Sequence, residues 1–536
     1  MSNNNKKDSF LKGAFILGMA GIIVKVMGAF FRIPLGNLIG AEGMGYYQAA
    51  YPVYTLFLTL ATAGFPTALA KLVSEKNAVG DYKGSHKIFK VSYTVLFITG
   101  ILAFCVFFFG AEYIVTLMDN KGAYYAMLAI APALLFVPVM SSYRGYFQGR
   151  RDMSKIAISQ ISEQFFRVIL GIALAYFLMN QYGPQMGAAG AIAGATIGSV
   201  ASIIYLTFIY LKESKKRKAE INASKHFEDE GISRILWKLL VVAVPITIGA
   251  SVMPLVSMID NAIVIRQLKV AGFSHYDAVA MFGQLTGMAM AIINLPSVIT
   301  AALGMSLVPS ISEAYAMGNL GAARKDTKSA IKVTLLIVLP AAFGIASLAT
   351  PIMNLLYPSE PDTVGTILFA LTPCVIFLGL MQTQSGILQG MGKPMIPVIA
   401  LVTGMAFKIF ISYNLTAIPS INVLGSALGT VTAYLVAAGI EIYFIKKTMK
   451  IKFSMKEFVI KPLITVITMF IAVKLSYGLM VGMLGNTLST IISIIIGATV
   501  YVLVLLGIGG IKKEEILTMP KGDKIYRLLK KLKLVR

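Results

Sequence analysis

The sequence predicts an all-α polytopic membrane protein with fourteen transmembrane helices, built as two parallel six-helix lobes followed by two C-terminal helices. Three observations predict it. Hydrophobic residues make up 57% of the 536-residue chain and charged residues only 13%, whereas a soluble domain is about one quarter charged. Apolar runs of about 20 residues, each long enough to cross a bilayer as a helix, recur along nearly the whole length, and the mean hydropathy is +0.76. The chain also resembles itself in two consecutive stretches. Strand-type alternation is missing, which argues against a β-barrel.

The first residues, MSNNNKKDSFLKG, are polar and basic and read as a cytoplasmic tail over 1–13. The apolar run behind them is too long for a signal-peptide core and lacks a clear cleavage site, so it reads as the first span. Spans are expected to begin near Ala14, Tyr46, Val91, Ala123, Ile156, Gly187, Leu239, Asp277, Ile331, Val364, Pro394, Asn422, Pro462 and Leu488.

The loops alternate in charge. Lys71 to Lys90, RGYFQGRRDMSK, KESKKRK, AARKDTK and KKTMKIKFSMK are basic, while GNLIGAEGM, NQYGPQM, YPSEPD and YGLMVGMLGN hold no Lys or Arg. Lys121, Arg266 and Lys269 are exceptions on the second side. Cytoplasmic loops carry the excess of Lys and Arg, so both termini are expected in the cytoplasm. The net charge of +24 is then a topology signal and not a nucleic-acid footprint. It also faces a basic skirt toward anionic inner-leaflet lipids. In the tail 512–536, Ile525, Leu528, Leu529 and Leu532 recur at helical spacing among cations, which fits either a surface-lying helix or a solvated basic tail.

The repeat lies in short motifs. LVSEKNAVGD at 72–81 resembles SISEAYAMGN at 310–319. YRGYFQGRRD resembles QSGILQGMGK, so that Gly145, Gln148 and Gly149 match Gly386, Gln389 and Gly390; the same offset carries Arg167 onto Lys408. GAIAG at 190 resembles GSALG at 425. The lobes are accordingly expected at 14–211 and 236–445, joined by a basic linker at 212–235. Spans 13 and 14, within 446–511, lie outside the repeat. Parallel halves of this kind build transporters whose substrate sits near the midplane between them. An inert helical membrane scaffold is the non-transport alternative.

Several cations lie inside the apolar helices. Lys25 and Arg32 are nearly two turns apart, about 10 Å along one helix face. A cation at the bilayer centre costs several kcal/mol, so it usually faces a wet cavity or a partner. Lys25 lies near mid-span. Arg32 lies toward the outer end and either lines the same cavity or snorkels to the headgroups. Arg167 has Glu163 one turn before it and Gln160 and Gln164 nearby, so it either forms an i,i+4 ion pair or lines a cavity. Lys408 has no carboxylate one turn away and is more available to an anion. Lys474 reads as a snorkelling or lipid-facing residue. Asp260 either pairs with a cation or binds a coupling proton or Na⁺. Membrane cations outnumber acids, which favours an anionic substrate; Arg forks onto phosphate oxygens.

Enzyme chemistry is not legible. GMGKP at 390 lacks the spacing and hydroxyl residue of a phosphate-binding loop. His86, His226 and His275 lie far apart, and Cys105 and Cys374 sit in apolar spans, so neither a metal centre nor a disulfide is suggested. The expectation is a non-enzyme with no cofactor, monomeric, driven by an Na⁺ or H⁺ gradient, by the membrane potential or by substrate supply.

KVMGAFFRIPLGNLIGAEGMGYYQ, GFPTALAKLVSE, YRGYFQGRRDMSKIAISQISEQFFR and ILQGMGKPMIP resemble segments of bacterial polysaccharide-biosynthesis membrane proteins of the multidrug/oligosaccharidyl-lipid/polysaccharide exporter superfamily. Within it the chain looks most like the stage V sporulation protein B and MurJ-type lipid II flippase groups, over about residues 10 to 510. The resemblance implies a bacterial plasma-membrane flippase that moves an undecaprenyl-pyrophosphate-linked glycan, lipid II first, from the inner to the outer leaflet. It also implies a cationic cavity for the pyrophosphate. Lys25 falls where that family carries a basic residue shortly before a glycine, here Gly28, and Arg32 falls about one residue from a second such site. The eighth-span Arg of some members is replaced by Ala291, and Lys408 or Arg266 is the candidate substitute. Cation-coupled multidrug exporters of the same superfamily are the rival, but they use an acid in the first span, where this chain has Lys25 and Arg32.

Overall fold

A computed structural model describes residues 2–224, 227 and 229–510, with residues 2–15 and 361 described by backbone alone. The expected amphipathic segment within 512–536 and His226 lie outside the described residues. Every regular element among the described residues is a helix. Twelve stretches of them are long and apolar enough to cross a membrane. Two of the twelve are double. Ile16–Val79 is interrupted at Gly40 (φ 68°, ψ −177°) and Lys456–Gly507 at Gly485 (φ 71°, ψ 174°). Such a backbone is open to glycine and strained for residues with a Cβ. With each side of these two kinks taken as a span, the fourteen predicted spans are present.

The chain divides into two compact units, residues 1–288 and 289–536. The first holds α1 (Ser2–Thr62), α2 (Phe65–Val79), α3 (Tyr82–Leu117), α4 (Tyr124–Ile130), α5 (Ala133–Gly149), α6 (Met153–Tyr182), α7 (Pro184–Lys212), α8 (Ser214–Asn222), α9 (Ile232–Val270) and α10 (His275–Gly283). The second holds α11 (Met290–Ala316), α12 (Leu320–Ser347), α13 (Ala349–Leu356), α14 (Pro361–Gly390), α15 (Met395–Thr416), α16 (Leu424–Met449) and α17 (Lys461–Gly507). These units and the lobes read from the repeat are different divisions of the chain. The reason is close helix packing: Gly45 and Gly64 abut the backbones of Val279 and Ala243, and Gly283 abuts the Ala41 carbonyl. Small residues let the backbones approach, and so α9 and α10 join the first unit.

The repeated motifs turn out to be backbone devices. In LVSEKNAVGD, Gly80 ends α2 at φ 85°, and Asp81 caps α3 by accepting from the Gly84 amide at 2.7 Å. In SISEAYAMGN, Gly318 stands at φ 68°, and Asn319 caps α12 by accepting from the Ala322 amide at 3.0 Å. Both are a glycine stop followed by a polar N-cap. In YRGYFQGRRD, Gly145 and Gly149 of α5 lie against the carbonyls of Pro66 and Ala70 on α2. Their counterparts Gly386 and Gly390 of α14 lie against those of Gly304 and Val308 on α11.

The linker is stitched to the first unit by ion pairs. Arg150 meets Glu220 at 2.8 Å, Lys87 meets Asp229 at 2.9 Å, and Glu230 bridges Lys76 and Lys238 at 3.1 and 2.8 Å.

Candidate functional site

After its kink, α1 carries Tyr47, Tyr51 and Tyr54. Their i, i+4, i+7 spacing places them on one helix face. Adjacent ring centroids lie 6.1 and 6.0 Å apart, and Phe31, from before the kink, reaches Tyr47 at 6.4 Å. The Arg167 guanidinium of α6 lies over the Tyr51 ring, 5.1 Å from its centroid, a cation–π arrangement. Arg167, Arg32 and Glu163 all act electrostatically on the Tyr51 hydroxyl. The fold therefore brings Arg32 and Arg167, distant in sequence, to one tyrosine. Gly28 lies beside Gln164 of α6. Lys25, on the same helix, is exposed and makes no ion pair among the described residues.

Glu163 is committed elsewhere. Its carboxylate pairs with Arg144 of α5 at 2.8 Å, and Arg144 also donates to the Ser159 hydroxyl at 2.9 Å and to that of Ser202 on α7 at 3.3 Å. This network ties α5, α6 and α7 together. Arg167 makes no ion pair among the described residues, so the i,i+4 pairing with Glu163 that the spacing allows is not the one found. Its charge remains directed at aromatic rings and hydroxyls. Residues of this kind can hold a phosphate group through charge-assisted hydrogen bonds.

The other candidates have surroundings of their own. Arg266 is exposed near the end of α9 and donates to the Leu117 carbonyl at 3.5 Å, next to the Lys269–Asp119 ion pair. Asp260 is buried in α9 beside buried Asn261. In the second unit, Lys408 of α15 is partly buried and acts electrostatically on the Cys374 thiol. Lys474 is exposed on α17, 5.8 Å from the Phe470 ring centre. Ala291 is buried in α11.

Three features escaped the sequence reading. Arg144 looked like one more cation of a basic loop, yet it is the partner of Glu163. The tyrosine row had a signal, its spacing opposite an intramembrane arginine. Glu441 of α16 is fully buried, with one oxygen accepting from the Ser385 hydroxyl at 2.7 Å and the other without a hydrogen bond among the described residues. A carboxylate in span 12 could have been read from EIYFIKK, but its burial could not.

Comparison with known proteins fits this architecture. A family model described as "Polysaccharide biosynthesis protein" matches residues 10–315, and one described as "MatE" matches residues 245–414. The chain is 29% identical over 517 residues to stage V sporulation protein B of Bacillus subtilis, covering 96% of this chain and 98% of that protein. It is 28% identical over 443 residues to the lipid II flippase MurJ of Bacillus subtilis, covering 79% and 81%. A solved structure of lipid II flippase MurJ in an inward closed conformation shares the fold, with a TM-score of 0.69 at 18% identity, over 91% of this chain and 98% of that one. The family model spans more than half of the chain, and the apolar helices mark a multi-pass membrane protein. The chain thus belongs to the polysaccharide biosynthesis protein family, as a stage V sporulation protein B/MurJ-type member of the multidrug/oligosaccharidyl-lipid/polysaccharide exporter superfamily.

Proposed function

We propose that this protein is a flippase for an undecaprenyl-pyrophosphate-linked cell-wall precursor, with lipid II as substrate. The observation that carries the reading is the cluster of Arg32 and Arg167 on Tyr51, with Lys25 two turns before Arg32 on the same helix. Transport, and not enzyme chemistry, is also the activity named in its relatives. The pyrophosphate would sit on Lys25, Arg32 and Arg167. The polar headgroup would cross from the inner to the outer leaflet of the bacterial plasma membrane by alternating access while the polyprenyl chain stays in lipid. Both termini would be cytoplasmic, and the protein would work as a monomer. Asp260 is the candidate for a coupling Na⁺ or proton, the membrane potential being the other source of drive.

Complementation tests this. In cells depleted of their own lipid II flippase, the parent should restore growth, and Lys25→Ala, Arg32→Ala and Arg167→Ala should fail at equal membrane levels. Rescue by all variants would remove the cationic cluster from the mechanism. No rescue by a well-inserted parent would point to a second reading, another lipid-linked oligosaccharide, which the family's description and the sporulation relative support. The MatE match supports a multidrug exporter, but two cations in the first span disfavour organic cations.

A further inference from the structure

The second unit contains a cationic cavity that the flippase reading does not use. On α12, Arg324, Lys328 and Lys332 recur every four residues and so share one face, with Lys325 beside them. Together with Ser329 and with Glu457 from the π-helical turn Lys456–Ile460, they line a cavity of about 390 Å³. Four cations thus face one carboxylate. Lys332 keeps only 8% exposure. Arg324 is held in place by donating from Nε to the Met449 carbonyl at 2.6 Å. Arg324, Lys325 and Lys328 make no ion pair among the described residues. Asp326, the one acid in this stretch of α12, accepts instead from the Ser310 hydroxyl at 2.7 Å, on α11. The cavity borders Phe458, and past it Val459, Ile460, Leu463 and Ile464 are exposed apolar residues at the start of span 13.

We propose that this cavity binds the phosphate headgroup of an anionic phospholipid, with the acyl chains lying along the exposed apolar face at the start of α17. Charge selects the phosphate; the adjoining apolar residues select a lipid over a free ion. Basic pockets between spans on the side of the Lys- and Arg-rich loops suit such headgroups.

The test uses the full-length protein purified in detergent, with phosphatidylglycerol, phosphatidylcholine of the same acyl chains, and inorganic phosphate as probes in native mass spectrometry. The parent should retain phosphatidylglycerol over phosphatidylcholine. Lys325→Gln with Lys328→Gln, both exposed positions, should weaken phosphatidylglycerol binding about tenfold or more and leave phosphatidylcholine unchanged. Lys215→Gln with Lys216→Gln, an equal loss of charge in the first unit, should have no effect. The proposal is overturned if that control pair weakens binding equally, if the parent shows no preference for the anionic lipid, or if millimolar inorganic phosphate displaces the lipid.

Discussion

The helix pair α6/α7 in the first unit and the pair α15/α16 in the second share one backbone crossing and differ in what they hold. Gly190 lies against the Leu174 carbonyl and the Ala175 amide, and Gly425 lies against Leu415 and the Thr416 amide. Gly194 abuts the Arg167 carbonyl and Gly171; Gly429 abuts the Lys408 carbonyl and Ser412. These are the repeat-related positions, residue for residue. The polar side chains around the crossings have diverged. Arg144 pairs with Glu163 at 2.8 Å in one unit, while its counterpart Ser385 donates to Glu441 at 2.7 Å in the other. Backbone crossings are set by small residues that allow close approach, so they persist. Polar pairs are set by single side chains, and each half has acquired its own: an ion pair in one and a hydroxyl–carboxylate hydrogen bond in the other.

Four experiments test whether the two units differ in this way. The largest effect is expected at Arg144. The pair's side chains keep only 17% and 23% of their exposure, so Arg144→Ala should cost about 3 kcal/mol by leaving a poorly solvated carboxylate, read by denaturation in micelles. Combining Arg144→Ala with Glu163→Gln should lose clearly less than the sum of the two singles; strict additivity would mean that the pair is not coupled.

Next come the crossings. A Cβ at Gly190 would sit 2.6 Å from the Leu174 carbonyl oxygen, and one at Gly425 would sit 2.6 Å from the Leu415 carbonyl carbon. Gly190→Ala and Gly425→Ala should each destabilise by about 2 kcal/mol through overpacking. Unequal losses would show that the two crossings are not mechanically equivalent.

A smaller effect is expected where the halves differ. Glu441 makes no ion pair among the described residues, so Glu441→Gln has no Coulombic attraction to lose and should change stability by less than about 1 kcal/mol. Glu163→Gln gives up its pairing with Arg144 and should cost more, within the range of about 1–3 kcal/mol for a charged hydrogen bond. Equal losses would erase the distinction.

The smallest effect lies outside the membrane. Glu230 accepts from Lys238 and pairs with Lys76, and these contacts hold its carboxyl below the ordinary value of 4.5. A lowered folded value means the stabilisation is present above pH 4.5 and fades as pH falls below it. Glu230→Gln should remove that acid-range dependence from linker protection in hydrogen exchange, leaving neutral-pH protection only slightly weaker. An unchanged acid profile would place the sensitivity at Asp229, whose carboxyl Lys87 lowers in the same way.

The spans, the alternation of basic and charge-poor loops and the repeat are legible in the amino-acid sequence, because each is written locally. Hydrophobic length decides whether a helix can span, and a Gly followed by Asp81 or Asn319 stops one helix and starts the next whatever surrounds it. The intramembrane cations were equally legible, since Lys25, Arg32, Arg167 and Lys408 stand out against apolar neighbours. Which side chains meet emerges only when the helices pack. Glu163 had Arg167 one turn away and took Arg144 from another helix, because α5 packs where Ser159, Ser202 and Glu163 together satisfy its guanidinium. That choice released Arg167 to Tyr51, beside Arg32. A side chain's partner depends on which helix faces approach, and that is a property of packing, which spacing along one helix does not encode.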